Sequence, residues 1–144
     1  MGFCVGYGSN SGFFYARSAK QKMVTLSSTE SEAYSAVEAT KDIIYFRSVL
    51  VELGFTIDQP SSLRVDNKSL IELATRFSGN HKRVRHFLVR IHFLMEQVAN
   101  KTITMDYVDT TANTADQLTK PLIGTAFVAG RANLMGPQRV KPLV

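Results

Sequence analysis

The chain has a single cysteine, Cys4, among its 144 residues. That excludes an intrachain disulfide and a cysteine-rich zinc site, and it fits a reducing compartment. No apolar run approaches the length a membrane-spanning helix needs, and the N-terminus lacks the charged-then-apolar layout of a secretory signal. These absences point to an intracellular protein with no membrane partner, without separating cytoplasm from nucleus. No internal repeat, heptad run or low-complexity segment is present. Acidic residues are also scarce in places: the first is Glu30, the first aspartate is Asp42, and none lies between His81 and His92.

What is present suits one soluble domain. Hydrophobic residues make up 44% of the chain and charged residues 20%, ordinary proportions for a globular core of this size. The net charge of +5 is unevenly placed. Residues 1–80 carry eight Lys/Arg against eight Asp/Glu, whereas residues 81–144 carry nine against four. The densest stretch is HKRVRHFLVRIH, His81–His92, with Lys82, Arg83, Arg85, Arg90 and all three histidines. A localised basic segment attracts a phosphate backbone through counterion release and direct contacts. A solvated helix face with a basic edge accounts for the same residues.

The local patterns alternate between strand and helix. Gly2–Gly8 and Gly12–Arg17 flank Ser9-Asn10-Ser11 and read as a hairpin. A polar link, Ser18–Lys22, and Met23–Leu26 lead to a long helix. Ser27, Ser28 and Thr29 offer N-caps, with Glu30 and Glu32 at capping-box spacing from Ser27 and Thr29. Ala33, Ala36, Val37, Thr40, Ile43, Ile44, Arg47, Leu50 and Leu53 recur at helical spacing, and Gly54 ends the run. Gln59–Ser62 reads as a loop and Ser62–Val65 as a short buried strand. Asp66 or Asn67 then caps a helix to about Phe77. After Ser78-Gly79-Asn80 the basic segment continues as a helix to Asn100, and Thr102–Val108 reads as a strand. Asn113 is expected to cap a short helix stopped by Pro121. Thr125–Met135 reads as a last helix, and 136–144 as a tail outside a domain of residues 1–135. The order of hairpin, helix, strand, helix, helix, strand, helix is α/β with mixed pairing.

Three carboxylates stand at junctions between apolar segments and helices: Glu32, Asp66 and Asp116. Each alone is equally a helix cap or a favourable dipole partner. Brought to one end of a sheet, they form a hard oxygen cage suited to Mg²⁺ and phosphoryl transfer. The segments carrying them, SSTESE (Ser27–Glu32), DNKSLI (Asp66–Ile71) and ADQLTKPL (Ala115–Leu122), resemble the motifs SSTEAEY, DNQSAI and ADxLTKPL. These are motifs of the ribonuclease H domain of copia-type retrotransposon Pol polyproteins. Arg85–Glu96 is similar to that family's KHIDIRYHFIRE, and the hairpin with its SxKQ lead-in matches Gly2–Gln21. The likeness covers most of residues 2–135.

The resemblance implies a ribonuclease H-like mixed sheet flanked by helices. It also implies cleavage of the RNA strand of an RNA–DNA hybrid during reverse transcription with two Mg²⁺ ions. Glu32, Asp66 and Asp116 would be its catalytic and metal-holding acids. His86 joins Lys82, Arg83, Arg85 and Arg90 as a contact to the hybrid. The reverse transcriptase region of a polyprotein would be a partner. The family's first catalytic Asp lies on a central strand before the hairpin, and these 144 residues begin with the hairpin. The expectation is a chain lacking that strand, marginal in stability by itself or dependent on a partner segment, and of little or no activity. A non-catalytic nucleic-acid-binding or protein-interaction remnant is the alternative.

Overall fold

The computed structural model describes residues 1–6, 13–20, 27–76, 85–119 and 123–135. Elements follow in the order β1 (Gly2–Gly6), β2 (Phe13–Ser18), α1 (Ser28–Glu52), β3 (Ser61–Val65), α2 (Lys68–Arg76), α3 (Arg85–Ala99), β4 (Ile103–Tyr107) and α4 (Thr125–Met135). Two short 3₁₀ turns, Thr110–Ala112 and Thr114–Leu118, lie between β4 and α4. The protein is mixed α/β, as the element order implies. The expected turn at Ser9–Ser11, segment Met23–Leu26, break at Ser78–Asn80 and tail from Gly136 lie outside the described residues.

The chain divides into two compact units, Gln21–Asn113 and Met1–Lys20 with Thr114–Val144. In the first, β3 pairs with β4 in parallel, Ser61 opposite Ile103 and Val65 opposite Tyr107. The Ser61 N–H donates to the Thr102 carbonyl and the Val108 N–H to the Val65 carbonyl, both at 3.0 Å. The strand therefore begins at Ser61, one residue inside the expected loop. A parallel pair cannot be joined by a tight turn, so α2 and α3 form the connection. Their Leu70, Ala74, Ile91 and Leu94 are buried, as are Ile103 and Met105 of β4, which both helices contact, and Leu63 of β3, which faces α1's side of the core. Burying each large aliphatic chain contributes about 1.5–3 kcal/mol.

Helix α1 completes this core with small residues. Ala33, Ala36, Val37, Ala39, Thr40 and Ile43 are all buried, and their small side chains let α3 approach closely. Thr40 is fully enclosed, and its hydroxyl donates to the Ala36 carbonyl at 2.7 Å, so no polar atom is stranded. The expected apolar face thins toward the C-terminus: Leu53 is 69% exposed. There Arg47 Nη1 instead ties α1 to the start of β3 through the Gln59 carbonyl (2.9 Å) and Ser61 Oγ (3.0 Å). Gly54, at φ +87°, ends α1 in a Schellman motif. Its N–H reaches the Val51 carbonyl, and the Phe55 N–H reaches Leu50. The end of α3 repeats this geometry with Lys101 at φ +57° in place of glycine.

In the second unit β1 and β2 pair antiparallel, Gly2 opposite Ser18, with a register step between Val5 and Gly6. The turn Thr114–Leu118 lies against this hairpin. Ser18 Oγ donates to the Leu118 carbonyl at 2.6 Å, and a Cβ on Gly2 would come within 2.8 Å of Leu118 Cβ and 2.9 Å of Thr119 Cγ2. Glycine at position 2 is what lets the strand approach. Where the sequence suggests a short α-helix opened by Asn113, the structure has the two 3₁₀ turns, the first capped by Asp109. The run TTANTADQ holds three threonines, one asparagine and one aspartate, which form α-helix poorly.

Two substitutions test this account. Lys101→Gly removes the left-handed strain and is expected to stabilise the chain by up to about 1 kcal/mol in denaturant unfolding. Gly2→Ala is expected to cost about 1–3 kcal/mol, because neither Leu118 nor Thr119 can recede without moving the turn.

Candidate active site

Asp66 follows immediately on β3, at the carboxyl end of the parallel pair, the place where open α/β sheets bind ligands. The cap of the next helix is its neighbour Asn67, whose Oδ1 accepts the Leu70 N–H at 3.0 Å. Asp66 is thereby released from the capping role that its position alone allowed. The same holds for Glu32. Ser27 is the N-cap of α1, its Oγ accepting the Glu30 N–H at 3.2 Å, so Glu30 fills the acidic position of the first turn. Glu32 lies further along the helix, and the Thr29–Glu32 spacing is not used as a capping box.

These two acids face each other electrostatically. Burial pushes the Glu32 carboxyl above the ordinary carboxylate range, a hydrogen bond from Asn67 opposes that, and the charge of Asp66 raises it further. Glu32 Oε2 is buried with no hydrogen-bond partner. An orphaned carboxylate oxygen that also feels the charge of a second carboxylate is an arrangement a hard divalent cation relieves, so Glu32 and Asp66 fit a Mg²⁺ ion by donor type. Among the described residues no group of three acids, histidines or cysteines converges as a metal cage.

Asp116 belongs to the other unit, half-buried in the turn Thr114–Leu118. Its backbone carbonyl accepts both the N–H (3.0 Å) and the hydroxyl (2.8 Å) of Thr119, which fixes the turn around it.

The basic residues divide differently. Lys82 and Arg83 lie outside the described residues, and Arg85 and His86 open α3. Arg90 sits one helical turn further on. Its side chain is only 15% exposed, lies 3.8 Å from Glu30 Oε1, and stacks 5.3 Å from the centre of the Tyr34 ring. It is a strut between α3 and α1, a role invisible in a linear basic run. Sequence reasoning assigned Asn67 no part beyond capping and passed over Lys68. The Lys68 ammonium lies 4.7 Å from the centre of the half-exposed Tyr107 ring, close to Asp66 in the chain. Cys4 offers no competing chemistry, because burial pushes its thiol up to about 11 and keeps it protonated.

Glu32 gives a pH signature. Its pKa is higher folded than unfolded, so between the two values the folded chain binds more protons and stability falls as pH rises. Glu32→Gln is therefore expected to raise the midpoint of thermal unfolding at pH 7 without divalent cations. The gain should shrink toward zero as pH falls below the ordinary carboxylate value of about 4.3. Melting curves across pH 3.5–7.5 check both limbs.

Comparison with known proteins shows similarity to Pol polyproteins of transposons. The chain is 36% identical over 128 residues to the retrovirus-related Pol polyprotein from transposon RE1 of Arabidopsis thaliana, covering 87% of this chain and 8% of that protein. It is 35% identical over 113 residues to the corresponding polyprotein from transposon RE2 of the same plant, covering 76% and 8%. With the polyprotein from transposon TNT 1-94 of Nicotiana tabacum it shares 36% identity over 104 residues, covering 72% and 8%. The chain thus spans about 8% of the length of these relatives. No family model matches, and no solved structure matches. No helix among the described residues is long and apolar enough to cross a membrane.

Proposed function

We propose that this chain, whose homologues are Pol polyproteins of transposons, is a ribonuclease H-type segment directed at the RNA strand of an RNA–DNA hybrid. The observation that carries the reading is the Glu32–Asp66 pair at the carboxyl end of β3, with both acids relieved of capping by Ser27 and Asn67. The mixed strand pairing supports it: β1 pairs antiparallel with β2 and β3 pairs parallel with β4, as the mixed sheet implied by the resemblance requires.

In this reading Asp66 and Glu32 would hold Mg²⁺, with Asp116 the third acid that the resemblance implies. Mg²⁺ there would supply an acidified water as nucleophile and charge stabilisation for the leaving 3′ oxygen. The chain's own residues do the rest. Ser27 and Asn67 fix the helix ends that present the carboxylates, and the segment around Lys82, Arg83, Arg85 and His86 meets the phosphate backbone. Arg90 braces that helix against α1. The reverse transcriptase region of a polyprotein is the proposed partner in delivering the hybrid. A second reading, a nucleic-acid-binding module without catalysis, rests on the basic segment His81–His92.

Incubating the purified chain with a labelled RNA–DNA hybrid in Mg²⁺ separates the two. The first reading expects cleavage of the RNA strand, reduced at least about 100-fold by Asp66→Asn. Salt-dependent binding that survives Asp66→Asn, with no cleavage, would establish the second. A folded chain that neither binds nor cuts the hybrid at low salt would exclude both.

A further inference from the structure

Asn67 makes more contacts than a helix cap requires. Its carbonyl oxygen caps α2 through the Leu70 N–H. Its amide nitrogen lies 3.3 Å from Thr29 Oγ1 in the first turn of α1, and its side chain also hydrogen-bonds Glu32. One planar group thus joins the start of α2, the start of α1 and a carboxylate of the acid pair. It stands next in sequence to the other carboxylate, Asp66. Asparagine is well suited to this. Aspartate would cap α2 equally well but would present a third negative charge to Glu32, and serine would cap without a second donor.

We infer that Asn67 is a positioning residue for the cation site: it occupies one side of the Glu32 carboxylate and so leaves Oε2 turned toward the ion shared with Asp66. This rests on the reading of Glu32 and Asp66 as metal-holding acids. The physical basis is that a carboxylate held by a fixed donor on one oxygen is already oriented for a ligand on the other. The free-energy cost of ordering it is then met in folding, before the ion binds. Oε2, buried and without a hydrogen-bond partner, is the atom such an arrangement leaves for the ion.

The test compares the full chain with Asn67→Ser, Thr29→Val and Asp66→Asn. Mn²⁺ serves as the probe, its free concentration read by electron paramagnetic resonance, alongside thermal melts without metal. Serine keeps the α2 cap and removes the amide donor, so Asn67→Ser is expected to melt near the parent while binding Mn²⁺ about 10–100-fold more weakly. Thr29→Val removes the amide's other acceptor and is expected to leave Mn²⁺ affinity unchanged. Weakening by Asp66→Asn with none by Asn67→Ser would overturn the positioning role and leave the acid pair standing. Equal weakening by Thr29→Val and Asn67→Ser would also overturn it, reducing Asn67 to a structural tie between the helices. No effect of Asp66→Asn would overturn the metal-site reading itself, and the positioning role with it.

Discussion

The parallel pairing of β3 with β4 is the constraint on which the Gln21–Asn113 unit depends. Parallel strands need a crossover, and here it is built from α2 and α3, whose Leu70, Ala74, Ile91 and Leu94 supply much of the buried surface. The crossover leaves from the carboxyl end of β3, so the first residues after the strand, Asp66 and Asn67, stand where backbone direction changes. Helix α1 must pack on the same core, and its small-residue face permits a close approach. That approach brings the start of α1, with Thr29 and Glu32, up to Asn67 and Asp66. The acid pair is thus a product of how the core closes.

Much of this was legible in the linear sequence. Helix α1 with its glycine stop, the bounds of α4 and the run of α3 all follow from periodicity and cap chemistry. So do the positions of β3 and β4 to within a residue or so. Neighbouring residues with equal capping chemistry could not be separated. Ser27, Ser28 and Thr29 are all good N-caps, as are Asp66 and Asn67, and only tertiary contacts decide which oxygen meets the helix amides. That choice bears on function, since the residue not used as a cap is the one left for chemistry.

Other features lay outside what a sequence pattern can carry. Arg90 belongs by composition to a basic run, yet Glu30 and Tyr34, more than fifty residues earlier, take its side chain. The segment after β4 has the punctuation of a helix but a threonine-rich interior, and it settles into 3₁₀ turns. The three acids appear in the sequence as one set. The structure couples two of them inside one unit and carries Asp116 on a turn held by Gly2 and Ser18 in the other. The likeness to transposon Pol polyproteins runs across both units.

Cys4 carries a separate consequence. It is the chain's only thiol and lies on β1, in the unit that bears Asp116, while the main hydrophobic core lies in the other unit. A protonated, partly covered thiol reacts slowly until its strand lifts away. Alkylation therefore times the opening of the hairpin unit alone, whereas melting of α1 and α3 dominates the helical signal. The protein carries its own two clocks, one chemical and one spectroscopic. Any difference between them measures how far its halves unfold as one.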